Sequence, residues 1–266
     1  VNADELAAIA ERFGVADSQV ERDHLISYLL ALLSENFRER VVFIGGTALA
    51  RTHLPEGRLS EDIDLIALDR RNAVAADLDR LIPRALQRTH GRLTWVDALS
   101  DVPDTTAAYL TTGEGLAIKI QLLASNGYQR WPTELRELEQ RYGDAPPARL
   151  HVPTRAAFAA SKTATWQNRR APRDLWDLWA LNRIGAIDTD AAVLYRRHGP
   201  TNKLPAAHDF AAAPGEAEWQ SQLAGQTRLG DVTAVSALGE VRAAWARLRD
   251  GDQPDDRGRI ASSGAP

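Results

Sequence analysis

The sequence predicts an α+β protein. A mixed sheet flanked by helices is expected over residues 1–150, a helical half over 151–250, and a disordered tail over 251–266. Three observations carry this. Two apolar runs, VVFI at 41–44 and DIDLIAL at 62–68, have the length of strands and are bounded by glycine, proline and charge. Segments near 92–98, 106–111 and 115–123 are short, β-tending and separated by Asp, Pro, Gly and Thr. Beyond Thr154 the apolar residues fall at helical spacing almost to the end. Strands first and helices second is the order of an α+β arrangement.

Taken along the chain, residues 3–13 and about 17–38 carry apolar side chains at helical spacing, with Leu25, Leu29, Leu32 and Leu33 in one stripe, so two helices open the protein. VVFI is β-branched and aromatic and stops at Gly45-Gly46, which reads as a buried strand entering a tight turn. A short helix from Thr47 to His53 should follow, then the strand at 62–68. A helix over 73–89 uses Val74, Leu78, Leu81 and Leu86 and is interrupted by Pro83. The three β-tending segments next read as an antiparallel continuation of the sheet. From Tyr128 to Pro153 the chain is rich in proline, glycine and charge, with a helical interlude at about 133–141 closed by Gly143, and this stretch is expected to be the boundary between the halves. Helices are then expected at about 154–168, 173–184, 188–198 and 230–249. The tail DGDQPDDRGRIASSGAP has too little apolar surface to order.

Composition narrows the function. A chain of 266 residues buries a core without staples. It contains no cysteine, which excludes a disulfide framework, a thiolate metal site and a cysteine nucleophile. No apolar run approaches the ~20 residues of a membrane span, so no membrane partner is expected. The opening VNADELAAIAERFG lacks a basic stretch followed by an apolar one, so no secretory signal is read and cytoplasmic residence is expected. Net charge is -4 and the pI about 5.9, so a nucleic-acid partner must be met by a local basic patch. Lys119, Lys162 and Lys203 are the only lysines in an arginine-rich chain. Each marks a position where a different cation is used, with chance retention as the competing account.

The sharpest local feature is FIGGTALARTHLPEGRLSEDIDLIAL. Asp62 and Asp64 are spaced i and i+2, and on a strand that puts both carboxylates on one face. Like charges so placed repel, and a divalent cation between them turns repulsion into ligation. The Gly45-Gly46-Thr47 turn offers backbone N–H groups and a hydroxyl to a phosphate. Phosphate plus Mg²⁺ is the joint reading. The spacing by itself fits equally well an edge strand ending in two aspartates beside an ordinary turn.

The string GGTALAR followed by RLSEDIDL resembles the signature of the AbiEii/AbiGii-type nucleotidyltransferase toxins, a branch of the DNA polymerase β-like nucleotidyltransferases that includes the mycobacterial MenT toxins. The resemblance implies a polymerase β-like catalytic sheet. It also implies that Gly45, Gly46 and Thr47 contact the triphosphate of a nucleoside triphosphate (NTP), that Asp62 and Asp64 bind Mg²⁺ or Mn²⁺, and that Arg58 and Ser60 fill the family's basic and hydroxyl positions. It continues in FAASKTATWQNRRAPRDLWDLWAL, where Lys162 matches a family lysine and Asp174 and Asp177 its Asp-x-x-Asp. Asp174 and Asp177 share a helix face, and Lys162 on the preceding helix can fold back beside them. There the lysine would neutralise charge on the leaving group, and Asp174 would orient it or act as a base. Taken alone, these residues also fit a solvated helix with local ion pairs involving Arg170 and Arg173. The similarity covers roughly residues 40–70 and 115–185.

One position departs from the pattern. Polymerase β-like transferases place a third carboxylate on a neighbouring strand, and AIKIQLL has Gln121 there, which can lend a carbonyl oxygen to Mg²⁺ but no charge. Lys119 shares its face and would meet the triphosphate or pair with Asp62 or Asp64. Trp166, Trp176 and Trp179, interleaved with Arg169, Arg170 and Arg173, fit either a core or an RNA surface, and Tyr195, Arg196, Arg197 and His198 either an acceptor surface or a helix end. His53, His90, His151 and His208 show no metal-ligand spacing. By resemblance, the expected activity is transfer of NMP from an NTP to a hydroxyl, with the 3′ end of tRNA as acceptor. The expected setting is the toxin of a bacterial toxin–antitoxin or phage-defence module with a cognate antitoxin as partner. The alternatives are a small-molecule or protein hydroxyl as acceptor, or a lapsed enzyme that only binds nucleotide.

Overall fold

The computed structural model describes residues 2–126, 128 and 131–250; the expected disordered tail at 251–266 lies outside them. Helices α1 (Ala3–Phe13) and α2 (Asp17–Asn36) open the chain. The Asn2 side chain accepts from the Asp4 amide at the start of α1, and Gly14 closes it in the left-handed conformation. Helix α2 buries Leu25, Ile26, Leu29, Leu30 and Leu33 almost fully, as a central helix must. Strand β1 (Val41–Ile44) runs directly into α3 (Gly45–Ala50), and β2 (Asp62–Ala67) follows. The short helix therefore begins at the glycines, two residues before Thr47.

Helix α4 (Arg71–Ala85) contains Pro83 in its last turn rather than being broken by it. Proline cannot donate to the carbonyl four residues earlier, and that carbonyl, of Asp79, instead accepts from the Trp95 indole at 3.2 Å. A single turn, α5 (Gln87–His90), leads to β3 (Leu93–Trp95), β4 (Ala108–Thr112) and β5 (Ala117–Ala124). Then come β6 (Thr133–Leu138), β7 (Ala148–Pro153), α6 (Arg155–Arg169), α7 (Pro172–Arg183), α8 (Thr189–His198), a 3-10 turn at Ala207–Phe210, α9 (Glu216–Leu223) and α10 (Ala234–Asp250).

The strands form one mixed sheet in the order β3-β4-β5-β2-β1-β7-β6. Two expectations are corrected by it. Residues 133–138 are an edge strand, not a helix, paired antiparallel with β7 from Thr133↔Pro153 to Leu138↔Ala148. The continuation after residue 92 is antiparallel only among β3, β4 and β5; β5 lies parallel to β2, with Asp62 opposite Lys119 and Asp64 opposite Gln121. The 3-10 turn and α9 were not expected from periodicity. Residue 150, where the sequence divides into halves, lies inside β7, and one core runs from Leu25 of α2 to Trp245 of α10.

Strand alternation sorts the two faces of the sheet. Val41 and Phe43 of β1, Ile63 and Leu65 of β2, and Ile118 and Ile120 of β5 are essentially fully buried on the face covered by α2 and α4. The opposite residues, Ile44, Asp62, Asp64, Lys119 and Gln121, line a pocket bounded by α6 and the start of α7.

Candidate active site

The pocket has a volume of about 430 Å³. Its floor is the paired stretch of β2 and β5, where register and alternation bring Asp62, Asp64, Lys119 and Gln121 onto one face. The Lys119 ammonium sits 3.1 Å from Asp62 Oδ2, the ion pair that was one expectation for this lysine. Gln121 donates its amide to the Asp104 carbonyl at 3.0 Å. Burial and the neighbouring Asp62 charge push the Asp64 carboxyl above its ordinary range, against the pull of Lys119, Lys162 and Arg169.

The turn above this floor needs its glycines. Gly45 has φ +82°, and a Cβ there would collide with the Asp64 carboxylate. A Cβ on Gly46 would stand 2.5 Å from Arg58 Nη2 and 2.9 Å from Ser60 Oγ. Both glycines face the pocket, as do Arg58 and Ser60. Thr47 does not: its side chain is buried and its hydroxyl donates to the Asp62 carbonyl. Thr47, expected to contact phosphate, is placed as a brace between α3 and the strand that carries the aspartates.

Behind the basic wall lies a buried network that reaches across the chain. Arg58 donates through Nε and Nη2 to the two oxygens of Asp177, at 2.9 and 3.0 Å, and through Nη1 to Gln226 at 2.6 Å. Lys162 Nζ lies 2.6 Å from Asp177 and 3.4 Å from Asp174. Asp174 is wholly buried and also accepts from Arg169, through Nε at 2.6 Å and Nη2 at 2.9 Å. Burial raises the Asp177 carboxyl, but the Arg58 and Lys162 charges outweigh it and hold the group below its usual range. The hydrogen bond to Asp174 raises the Arg169 guanidinium further. Neither Asp174 nor Asp177 lines the pocket. Asp174, expected to orient Lys162 or act as a base, is held by Lys162 and Arg169, and Asp177 by Arg58 and Lys162, three basic residues that line the cavity.

The structure thus gathers Gly45, Gly46, Arg58, Ser60, Asp62, Asp64, Lys119, Gln121 and Lys162 around one cavity and places Thr47, Asp174 and Asp177 just outside it. Sequence reasoning left Arg169 and Arg173 out of the site proper, although both line the pocket. Their signal was present as arginines one and five residues before Asp174. Gln226, which orients Arg58, carried none. Trp166 and Trp176 are buried, and Tyr195 is fully so, which settles these as core. Among the described residues no group of three or more His, Cys, Asp or Glu side chains is arranged to hold a metal. No described helix is long and apolar enough to cross a membrane.

Comparison with known proteins bears on the family and the fold. The family described as "Nucleotidyl transferase AbiEii toxin, Type IV TA system" matches residues 27–249. No curated protein matches the chain. Among solved structures, the nucleotidyltransferase toxin MenT4 from Mycobacterium tuberculosis is similar at a TM-score of 0.62 and 24% identity, over 96% of this chain and 92% of that one. At that identity the likeness shows a common fold. An antigenic nucleotidyltransferase-like protein from Paracoccidioides brasiliensis aligns at 13% identity over 86% of this chain and 88% of that one, with a TM-score of 0.39, too low to bear on the fold.

Proposed function

Since the chain belongs to the AbiEii family of nucleotidyl transferase toxins of type IV toxin–antitoxin systems, we propose that it moves NMP from an NTP to the terminal hydroxyl of a tRNA, with Mg²⁺ or Mn²⁺ bound by Asp62 and Asp64. The observation that carries this is the meeting of two same-face carboxylates with a basic wall in one cavity. The carboxylates suit a divalent cation: they offer hard oxygen donors side by side, Asp64 is half-buried beside a like charge, and a cationic group, Lys119, is already drawn to Asp62. The Gln121 amide nitrogen is committed to Asp104, so its carbonyl oxygen is the atom it would offer.

When bound, the cation offsets negative charge on the α-phosphate and eases ionisation of the attacking hydroxyl. The remaining work belongs to the chain. The bare faces of Gly45 and Gly46 admit the phosphates close to backbone, where a side chain would collide. Arg58, held by Asp177 and Gln226, and Lys162, held by Asp174 and Asp177, present fixed positive charge to the departing pyrophosphate. Fixed charge of this kind needs no reorganisation as the reaction proceeds. With Asp174 shut behind Arg169 and Lys162, the carboxylates that line the cavity and could take the hydroxyl's proton are Asp62 and Asp64. Basic walls also favour a polyanionic acceptor over a cationic small molecule, which an acidic pocket would suit better.

The test is incubation of the protein with Mg²⁺, total bacterial tRNA and each radiolabelled NTP in turn, beside an Asp62→Ala, Asp64→Ala variant. Label should reach tRNA with one NTP and vanish in the variant. Absence of label with all four NTPs would defeat the tRNA reading. Nucleotide binding that is indifferent to Mg²⁺ would then point to a lapsed site.

A further inference from the structure

The open face of β2 does not end at the carboxylates. Beyond Asp64 the residues facing the same way are Ile66 and Leu68, and beside them on β1 stand Ile44 and Val42. With Tyr128 and Trp131 as walls they enclose a groove of about 380 Å³ that shares Ile44, Ile66, Tyr128 and Trp131 with the catalytic pocket. Among the described residues, none lining the groove carries a formal charge, whereas the pocket it opens into is lined by lysines, arginines and aspartates. Leu68 is 49% exposed and Tyr128 40%, so apolar and aromatic surface is left in water next to the site. Such surface marks a binding region.

Position decides what the groove takes. Gly46, Arg58 and Ser60 lie at the Asp62 end of β2, and the groove lies at the other end. At ~3.3 Å per residue, Ile66 and Leu68 stand about 7 and 13 Å past Asp64. In-line displacement sets the entering oxygen opposite the leaving pyrophosphate. The groove is therefore on the entering side. We propose that it seats the terminal base of the acceptor RNA, the nucleoside whose hydroxyl is attacked; this rests on the RNA-acceptor reading above. The hydroxyl oxygen of that nucleoside forms the bond to the α-phosphorus, and its proton passes to Asp64, the carboxylate nearer the groove. The bond from the α-phosphorus to the bridging oxygen breaks, and pyrophosphate departs with the electron pair. A flat base gains stacking and dispersion between Trp131, Tyr128 and the isoleucines, and the RNA backbone is left to Arg169 and Arg173 on the opposite wall.

The experiment measures binding of a short 5′-fluorescein-labelled single-stranded RNA by anisotropy. One RNA ends in adenosine, and the other ends in an abasic ribose that keeps its hydroxyls. The protein is the full chain as wild type, Trp131→Ala and Leu68→Glu, the last at a half-exposed position that leaves the core untouched should Trp131→Ala fail to fold. Wild type should bind the base-terminated RNA roughly 5- to 150-fold more tightly. Both variants should lose that preference without changing their affinity for the abasic RNA, and in Leu68→Glu, whose site lies outside the catalytic pocket, NTP KM should stay within about twofold. Equal binding of the two RNAs by wild type, or no RNA binding, would overturn the proposal. So would a raised NTP KM with the RNA preference intact, which would give the groove to the donor's base. A preference for the base-terminated RNA without label transfer from any NTP would keep the groove and defeat the transfer reading instead.

Discussion

Single residues set the chemistry here through very local constraints. Gly45 combines a left-handed φ with contact against Asp64, so Gly45→Ala pays twice: about 1–2 kcal/mol of backbone strain, and displacement of a carboxylate proposed to bind the cation. Gly45→Ala should lower thermal stability and cut the transfer rate at least about tenfold. Gly113→Ala, where a Cβ meets nothing within 4 Å, should change neither. An unaltered rate in Gly45→Ala would show that the turn does not shape the site. The Asp62 and Asp64 pair was legible because period two on a strand is unambiguous about faces. The link from Arg58 to Asp177 was not, since it joins residues 119 apart in sequence. Nor was the role of Thr47: the motif announces a hydroxyl but not its direction, and the hydroxyl turns inward to the Asp62 carbonyl.

At the scale of elements, local pattern succeeded where burial and periodicity agree, as in α2, β1, β2, α6 and α7, and failed where pairing overrides propensity. Leu135 and Leu138, with charges between them, mimic a helix face, yet six residue pairs with β7 draw the segment into the sheet edge. The same limit hid the parallel pairing of β5 with β2, because alternation names a strand's face and not its direction. The joint between α6 and α7 shows a further constraint. Arg170 closes α6 at φ 50° and is the non-glycine residue with positive φ among those described. This left-handed cap turns the chain so that Arg169 and Arg173 flank the cavity from either side of the joint. Glycine adopts that conformation without a Cβ penalty, so Arg170→Gly should raise stability by about 0.5–1 kcal/mol in urea unfolding. Nucleotide binding should be retained, because Arg170 is not among the groups lining the pocket. Destabilisation would mean that the arginine side chain, not the backbone, holds the joint.

Over the whole molecule, the sheet and the later helices share one core and both line the site, so loosening in either half reaches it. The first half carries a cluster whose protonation tests this. His24, on α2, lies 3.1 Å from Asp144 through Nε2 and 3.3 Å from His90 of α5 through Nδ1, with Tyr28 and Tyr142 packed edge-on around the His24 ring. Burial first, and the His24 ring next, push His90 down to about 4. In the unfolded chain its pKa returns to ~6.5. Above that pH both states are neutral at His90 and stability is intact. Between about 6.5 and 4 the unfolded chain takes up a proton that the folded one refuses, so stability falls as the pH drops. Asp177 enters later: its folded pKa is depressed below 3.8, so its contribution holds above that value and is lost only at lower pH. The two groups therefore act in separate windows. Denaturant unfolding of wild type should show stability declining between pH 6.5 and 4, and His90→Gln should flatten that slope while leaving the steeper loss below pH 4. An identical slope in the variant would move the acid sensitivity to other groups.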